Sequence, residues 1–179
     1  MKGSTIGLVA LVGLATLVTI SESSTMYGET TQPGRSFTWD ELTRSTTALK
    51  LHILNSPGPV ERANLRKLVE TVLQPLRDHL GRPVRISSAY RSQLLNRSIG
   101  GADTSQHMSG EAADIKVDGM TAAELAAAIV RLRLPFDQVI GYVPELGGHV
   151  HVSHNAHTTN RAQQLWSARK KSYTPIVFA

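Results

Sequence analysis

The chain has no cysteine among its 179 residues. This absence excludes disulfide bonds, thiolate nucleophiles and the cysteine-ligated class of zinc site. A transition metal bound by this protein must therefore be held by histidine, aspartate or glutamate side chains. The chain carries seven histidines and 14 acidic residues from which such a site could be built.

The sequence also lacks internal repeats, low-complexity blocks and a dense basic cluster interleaved with aromatic residues. The basic residues are scattered, apart from the short run SARKKSY near the C-terminus, so no specific nucleic-acid partner is expected. The net charge is +5 and the pI about 9.8. Both values fit either an ordinary solvated surface or an anionic partner such as a cell wall or a membrane surface.

Composition divides the chain into four regions. Residues 1–23 contain an uncharged apolar stretch at 6–20, which indicates a signal peptide, a membrane anchor or a helix that packs inside an assembly. Residues 24–36 are a linker rich in Ser, Thr and Gly. Residues 37–155 form the predicted domain, and residues 156–179 a basic tail with a helix through RAQQLWSARKK. We expect an exported protein of the periplasm or cell wall, with or without a membrane tether; the alternative is a virion.

Local patterns predict the main elements of the domain. Capping boxes at Thr38 with Glu41 and at Thr121 with Glu124 mark two helix starts, and helical spacing predicts a third helix over residues 60–80 with an apolar core stripe. Strands are predicted at VRISS, EAADIKV, FDQVIGYV and HVHVSH. Helices first, followed by strands broken by helices, indicate an α+β fold with a small, mainly antiparallel sheet and helices packed on one side.

The segment TSQHMSGEAADIKV places a histidine and an aspartate on either side of small residues. Gly110 lets the backbone fold back between His107 and Asp114, while Ala112 and Ala113 leave space for a neighbouring chain. An imidazole and a carboxylate brought together would supply two ligands of a zinc site.

A third ligand is expected from the segment GGHVHVSH. Side chains alternate along a strand, so His149, His151 and Ser153 face one side. A site of two histidines, one aspartate and one open position is the arrangement that zinc hydrolases use. The alternative is that His107 lies on the surface and the other two histidines on an exposed edge strand, and spacing alone leaves both interpretations open.

Several motifs occur in the order found in a known peptidase family. SQHMSGEAAD matches the pattern S-x-H-x-x-G-x-A-x-D, ISSAYRS is similar to a segment S-x-Y-R-S, and VHVS is similar to a strand that bears the last metal ligand. These motifs, together with FTWDELTRS and FDQVI, resemble the zinc D-alanyl-D-alanine carboxypeptidase family, in particular its bacterial and phage endolysin-like subgroup. The resemblance covers residues 37–153 and implies the α+β fold of the Hedgehog and DD-peptidase type.

The resemblance also implies roles for individual residues. Arg91 would bind a substrate carboxylate or the oxyanion of the tetrahedral intermediate. Ser105 would hold the substrate near the metal, and Tyr90 would shape the pocket. The cofactor would be Zn²⁺, and its ligands would be His107, Asp114 and His151.

One position departs from the family pattern. Much of the family has an acidic general base three residues before the last histidine, where this chain has Gly148. A zinc peptidase needs a group that moves a proton to the leaving amine. His149 is the first candidate because it shares a strand face with the last ligand, Glu145 in the preceding turn is the second, and Asp137 is the third, although an orienting role suits Asp137 better.

Two functions follow from these patterns. The first is a zinc-dependent peptidase that hydrolyses peptide bonds of peptidoglycan, as a carboxypeptidase or an endolysin-like endopeptidase, with peptidoglycan peptides as its partners. The second is a phage virion structural or wall-binding protein that carries a weakly active or inactive domain of this type. Its partners would be virion proteins, and residues 6–20 would contact a membrane or pack in the assembly.

Overall fold

The computed structural model describes residues 32–178, so the apolar segment at 6–20 and the first part of the predicted linker lie outside the described residues. Within the described range, no helix combines the length and apolarity needed to cross a membrane. The helices are α1 (Trp39–Thr43), α2 (Thr46–Lys50), α3 (Pro59–Leu68), α4 (Gln74–Leu80), α5 (Gln93–Ser98) and α6 (Ala122–Arg131). The strands are β1 (Val84–Ser88), β2 (Ala112–Val117), β3 (Gln138–Tyr142), β4 (Val150–Ser153), β5 (Gln163–Arg169) and β6 (Ser172–Pro175).

Both predicted capping boxes are confirmed. The Thr38 hydroxyl accepts from the backbone N–H of Glu41 at 3.2 Å, and the Glu41 carboxylate accepts from the backbone N–H of Thr38 at 2.8 Å. Thr121 and Glu124 form the same pair of bonds at the start of α6. Each box satisfies N–H groups that have no partner within the helix, which fixes where α1 and α6 begin.

The third predicted helix consists of α3 and α4 joined by a π-helical turn, Val69–Leu73. The N–H of Gln74 bonds to the carbonyl of Val69 across this widened turn. A proline ring clashes with the carbonyl four residues earlier in a regular helix, so Pro75 accounts for the turn that precedes it. The predicted core stripe is confirmed, with 0% exposure at Leu65, Leu68, Val69, Val72, Leu73 and Leu76.

The six strands form one sheet in the order β1-β2-β4-β3-β5-β6. The predicted combination of helices with a single sheet is confirmed, but the sheet is mixed rather than mainly antiparallel, because β3 and β5 run parallel. Two contacts explain this direction: Asn160 donates to the carbonyl of Pro135, and Arg161 donates to Asp137. The chain after β4 is thereby held beside the start of β3, so β5 begins where β3 begins.

The helix predicted within residues 156–179 is wrong, because this segment supplies β5 and β6. Trp166 on β5 lies against Gly141 on β3, where an added Cβ would come within 2.4 Å of the indole ring. The rings of Trp166 and Phe178 then meet edge to face at a centroid distance of 6.4 Å. The predicted tail is thus packed onto the domain through its aromatic residues.

The two faces of the central strands have different chemistry. Ile115 pairs with Val150 and faces the hydrophobic core, to which α3, α4 and α6 also contribute. The next pair along the same strands is Asp114 with His151. Since directly opposed residues share a face of the sheet, the core packing of one face places these two polar side chains side by side on the other.

Gly110 permits the fold-back that was predicted before β2. Its φ is +74°, a value that favours glycine, and an added Cβ would lie 2.5 Å from the carbonyl oxygen of Glu61 in α3. The loop that carries His107 can therefore contact α3 only because residue 110 has no side chain.

We expect Gly110→Ala to destabilise the domain more than Gly119→Ala, which is a matched control. Gly119 has a similar φ of +76°, but the nearest atom to an added Cβ is the end of the Arg82 side chain at 3.7 Å. The control should lose only the conformational cost of about 1–2 kcal/mol, and Gly110→Ala about 1–3 kcal/mol more from the backbone clash. Urea unfolding of both variants measures the difference, and equal losses would contradict the close approach.

Candidate metal centre

Three side chains converge on the polar face of the sheet. His107 Nε2 lies 3.3 Å from Asp114 Oδ1 and 3.2 Å from His151 Nδ1, and His151 Nδ1 lies 3.1 Å from Asp114 Oδ1. Their side chains are only 4%, 12% and 11% exposed. The structure thus brings together all three residues predicted as metal ligands.

Each ligand is positioned by a different part of the fold. Asp114 and His151 are opposed on β2 and β4, whereas His107 belongs to the loop before β2. The His107 Nδ1 lies 2.7 Å from the carbonyl oxygen of Ala89. A carbonyl can only accept a hydrogen bond, so Nδ1 carries the proton and the Nε2 lone pair faces the centre.

The charges of the centre suit a cation. Burial raises the pKa of the Asp114 carboxyl, but the charges and hydrogen bonds of His107 and His151 outweigh it and hold the pKa well below its usual value. Burial lowers the pKa of His151, which disfavours a positive charge on this ring. Three potential ligand atoms, one of them from a carboxylate that is held ionised, therefore share a common space.

The spacing of these atoms fits zinc, the predicted cofactor. Zinc binds nitrogen and oxygen at about 2.0–2.1 Å in tetrahedral sites, which places neighbouring ligand atoms about 3.3 Å apart. The three observed separations run from 3.1 to 3.3 Å. Two histidines and one carboxylate would hold zinc with three protein ligands, the number that hydrolytic zinc sites use.

Arg91 lies at the edge of the centre. Its guanidinium donates to Asp114 Oδ2 and, at 2.8 Å, to Ser88 Oγ, and its backbone N–H bonds to the carbonyl of His107. A register shift in β1 between Ile86 and Ser88 places Ser88 opposite Asp114, since a bulge re-aims the side chains that follow it. The guanidinium is thus fixed beside the ligands, where it can stabilise negative charge.

The two other residues predicted to bind substrate, Ser105 and Tyr90, have other contacts in the structure. Ser105 is half-buried in the turn two residues before His107, and its N–H bonds to the carbonyl of Ala102 at 3.1 Å. Tyr90 packs against the hydrophobic core, and its carbonyl accepts from Asn55 at 3.1 Å. Their proposed roles toward a substrate stay predictions.

The first candidate base lies next to the ligands. His149 Nε2 is 4.0 Å from Asp114 Oδ1, and burial lowers the pKa of His149, which leaves it neutral and able to accept a proton. Among the described residues, Asp114 is the only carboxylate within 4 Å of a ring nitrogen of this histidine or of the two histidine ligands. Gly148, the position where much of the family has an acid, has a φ of +54°. Glu145, the second candidate base, is exposed in the 3₁₀ turn Pro144–Leu146.

Asp137, the third candidate base, is a structural residue. Its carboxylate accepts from the backbone and the guanidinium of Arg161, at distances from 2.5 to 3.1 Å, and from Gln106 Nε2 at 3.0 Å. Burial alone would raise the pKa of Asp137. The hydrogen bonds from Arg161 and Gln106 outweigh the effect of burial, so the pKa of Asp137 lies below its usual value. This buried carboxylate holds the loop before His107 against the start of β5.

Tyr142 is a site residue that the sequence interpretation missed. Its ring stacks on His149 at a centroid distance of 4.4 Å and 18° between the planes, and it meets Tyr173 of β6 edge to face at 6.4 Å. Burial and a hydrogen bond with Tyr173, together with the charge of Asp114, raise the pKa of Tyr142, so its hydroxyl stays protonated. The alternation of side chains along β3 could have revealed it. Ile140 is opposite His151 on the neighbouring strand, so Tyr142, two residues further along β3, lies on the same face of the sheet as that ligand.

Comparisons with known proteins agree with this geometry. A family model described as Peptidase M15 matches residues 35–153. The Zinc D-Ala-D-Ala carboxypeptidase of Streptomyces albus G is 29% identical over 136 residues, which cover 74% of this chain and 48% of that protein. The chain thus spans about half the length of this curated relative. The resemblance inferred from the motifs is confirmed, and the chain belongs to the Peptidase M15 family.

Proposed function

We propose that this protein is a zinc-dependent peptidase that hydrolyses peptide bonds of peptidoglycan, either as a carboxypeptidase or as an endolysin-like endopeptidase. The observation that carries the proposal is the buried triangle of His107, Asp114 and His151 with Arg91 beside it. The name of the Streptomyces albus G relative supports zinc as the metal and a D-alanyl peptide as the type of substrate.

The chain's own residues would divide the work of hydrolysis. Bound zinc supplies a Lewis acid that polarises a carbonyl and lowers the pKa of water. The Arg91 guanidinium, fixed by Asp114 and Ser88, would stabilise the negative charge that develops on the carbonyl oxygen of the scissile bond. His149 would accept a proton at Nε2, the nitrogen near Asp114, from the water that attacks the carbonyl carbon, and deliver it to the leaving amine as the peptide C–N bond breaks.

We further infer that the protein acts outside the cytoplasmic membrane, because its proposed substrate is the cell wall. The apolar stretch at residues 6–20 and the net charge of +5 support export toward an anionic wall. Whether that stretch is removed or keeps the enzyme tethered decides between a secreted and an anchored form.

A second function is favoured by one observation, which is the absence of an acid at Gly148. If His149 does not move the proton, the domain would bind zinc and wall peptides without cutting them, as a wall-binding or virion structural protein would. The same zinc-loaded chain distinguishes the two functions, since only the peptidase releases peptide fragments from purified peptidoglycan.

Metal content tests the ligand set directly. We expect about one zinc per wild-type chain after dialysis, and at least about 100-fold weaker zinc binding in His151→Ala, because losing a ligand costs more than losing an outer partner. His157→Ala is the control, since His157 is exposed and lies outside the cluster. Elemental analysis and competition with a chelator give the affinities, and unchanged binding in His151→Ala would contradict the centre.

The identity of the proton-accepting residue is tested by a matched pair of glutamine variants. We expect His149→Gln to lower kcat by about 10²–10⁴-fold, the usual contribution of general acid–base catalysis, with zinc content unchanged. Glu145→Gln should retain kcat, because Glu145 is exposed in its turn. The release of muropeptides measures both variants, and the reverse pattern would transfer the role to Glu145.

The stack on Tyr142 can be separated from its hydroxyl. Tyr142→Phe keeps an aromatic ring against His149, whereas Tyr142→Leu removes the stacking partner. Stacked aromatic pairs contribute about 0.5–1.5 kcal/mol beyond their buried area, so we expect the leucine variant to lose about 3- to 10-fold more kcat than the phenylalanine variant. Equal kcat values in the two variants, at equal zinc content, would show that stacking does not position His149.

A further inference from the structure

A cleft of about 410 Å³ lies beside the metal centre and is separate from the three ligands. It opens between the corner formed by α1 and α2, the outer edge of β1 and the helix α5. A volume of this size is typical of sites that bind small ligands. The polar side chains that line this Arg44 cleft include Arg44, Thr46, Thr47, Ser87, Ser88 and Arg91.

Arg91 and Ser88 connect the cleft to the centre. Both line the cleft, and the same guanidinium that bonds to Ser88 also bonds to Asp114. A ligand held in the cleft would therefore lie against the residue that is positioned to stabilise charge at the reacting carbonyl. The cleft therefore adjoins the metal centre through Arg91 and Ser88.

Arg44 is the cation of the cleft that can bind a ligand. The Arg91 guanidinium is paired with Asp114, and the Glu41 carboxylate keeps its negative charge while its Oε2 accepts from the backbone and hydroxyl of Thr38 at 2.8 and 2.9 Å. Arg44 has an ion pair with Asp40 at 3.6 Å, in which the two side chains are 60% and 74% exposed. Exposed pairs of this kind contribute little, so Arg44 can exchange Asp40 for a ligand at small cost.

We propose that the Arg44 cleft is a substrate subsite that binds a carboxylate carried by the peptide away from its scissile bond. Arg44 would form a charge-assisted, forked pair with that carboxylate, and the hydroxyls of Thr46 and Thr47 line the same space. Ile99, which is 40% exposed, adds apolar surface against which the peptide can lie. The inference rests on the proposed function and specifies it: the preferred substrate is an anionic peptide.

The test compares two synthetic peptides that differ in one group. Both contain a γ-linked glutamate next to a D-alanyl peptide, one with a free α-carboxylate and the other with the carboxamide. We expect the zinc-loaded full-length chain to bind the carboxylate peptide about tenfold more tightly, as one charge-assisted contact provides. Arg44→Gln should abolish this preference, with the carboxamide peptide bound as before and the zinc content unchanged.

Arg97→Gln is the matched control, because Arg97 is an exposed arginine on α5 that does not line the cleft. Arg97→Gln should keep the tenfold preference. Loss of the preference in this control would show that general surface charge, and not Arg44, binds the carboxylate. A preference that is absent in the wild type or retained in Arg44→Gln would overturn the inference. Since binding is measured apart from cleavage, a chain that prefers the carboxylate but cuts neither peptide would contradict only the proposed peptidase activity.

Discussion

The pairing of β2 with β4 is the constraint on which the rest of the structure depends. It sets Asp114 opposite His151 and, one residue further, Ile115 opposite Val150. A slip of one residue would exchange the two faces of a strand and would bury Asp114 in the core while exposing Ile115. The hydrophobic core therefore fixes the register that sets Asp114 beside His151, and the ligand atoms of the centre lie 3.1–3.3 Å from one another.

This arrangement places an ionised carboxylate and two imidazole rings where a cation can bind. A buried, ionised carboxylate is costly unless it is paired, and in this chain Asp114 is paired with Arg91 on one oxygen while its other oxygen faces two imidazoles. The Ala89 carbonyl keeps the proton of His107 on the far side of its ring. The donor set is thus oriented before a metal arrives, so binding spends little energy on reorganisation.

The sequence predicted the parts of the fold that depend on near neighbours. Caps such as Thr38 with Glu41, the core stripe of α3 and α4, and the ligand motif from Ser105 to Asp114 can be recognised from short patterns. The parallel pairing of β5 depends instead on Arg161 reaching Asp137 across 24 positions, and no local pattern encodes that contact. The helix predicted within the tail is replaced by β5, in which the neighbours Leu165 and Trp166 lie on the two opposite faces of the sheet.

The site therefore draws on more of the chain than the region matched by the family model, which ends at residue 153. Beyond it, Tyr173 on β6 contacts Tyr142, which stacks on the candidate base His149. At the other edge of the sheet, β1 supplies Ser88, which accepts a hydrogen bond from Arg91. The edges of one sheet thus support the two groups that would handle protons and negative charge, while its strands β2 and β4 hold two of the three candidate metal ligands. Packing of the C-terminal hairpin is then part of how His149 is positioned.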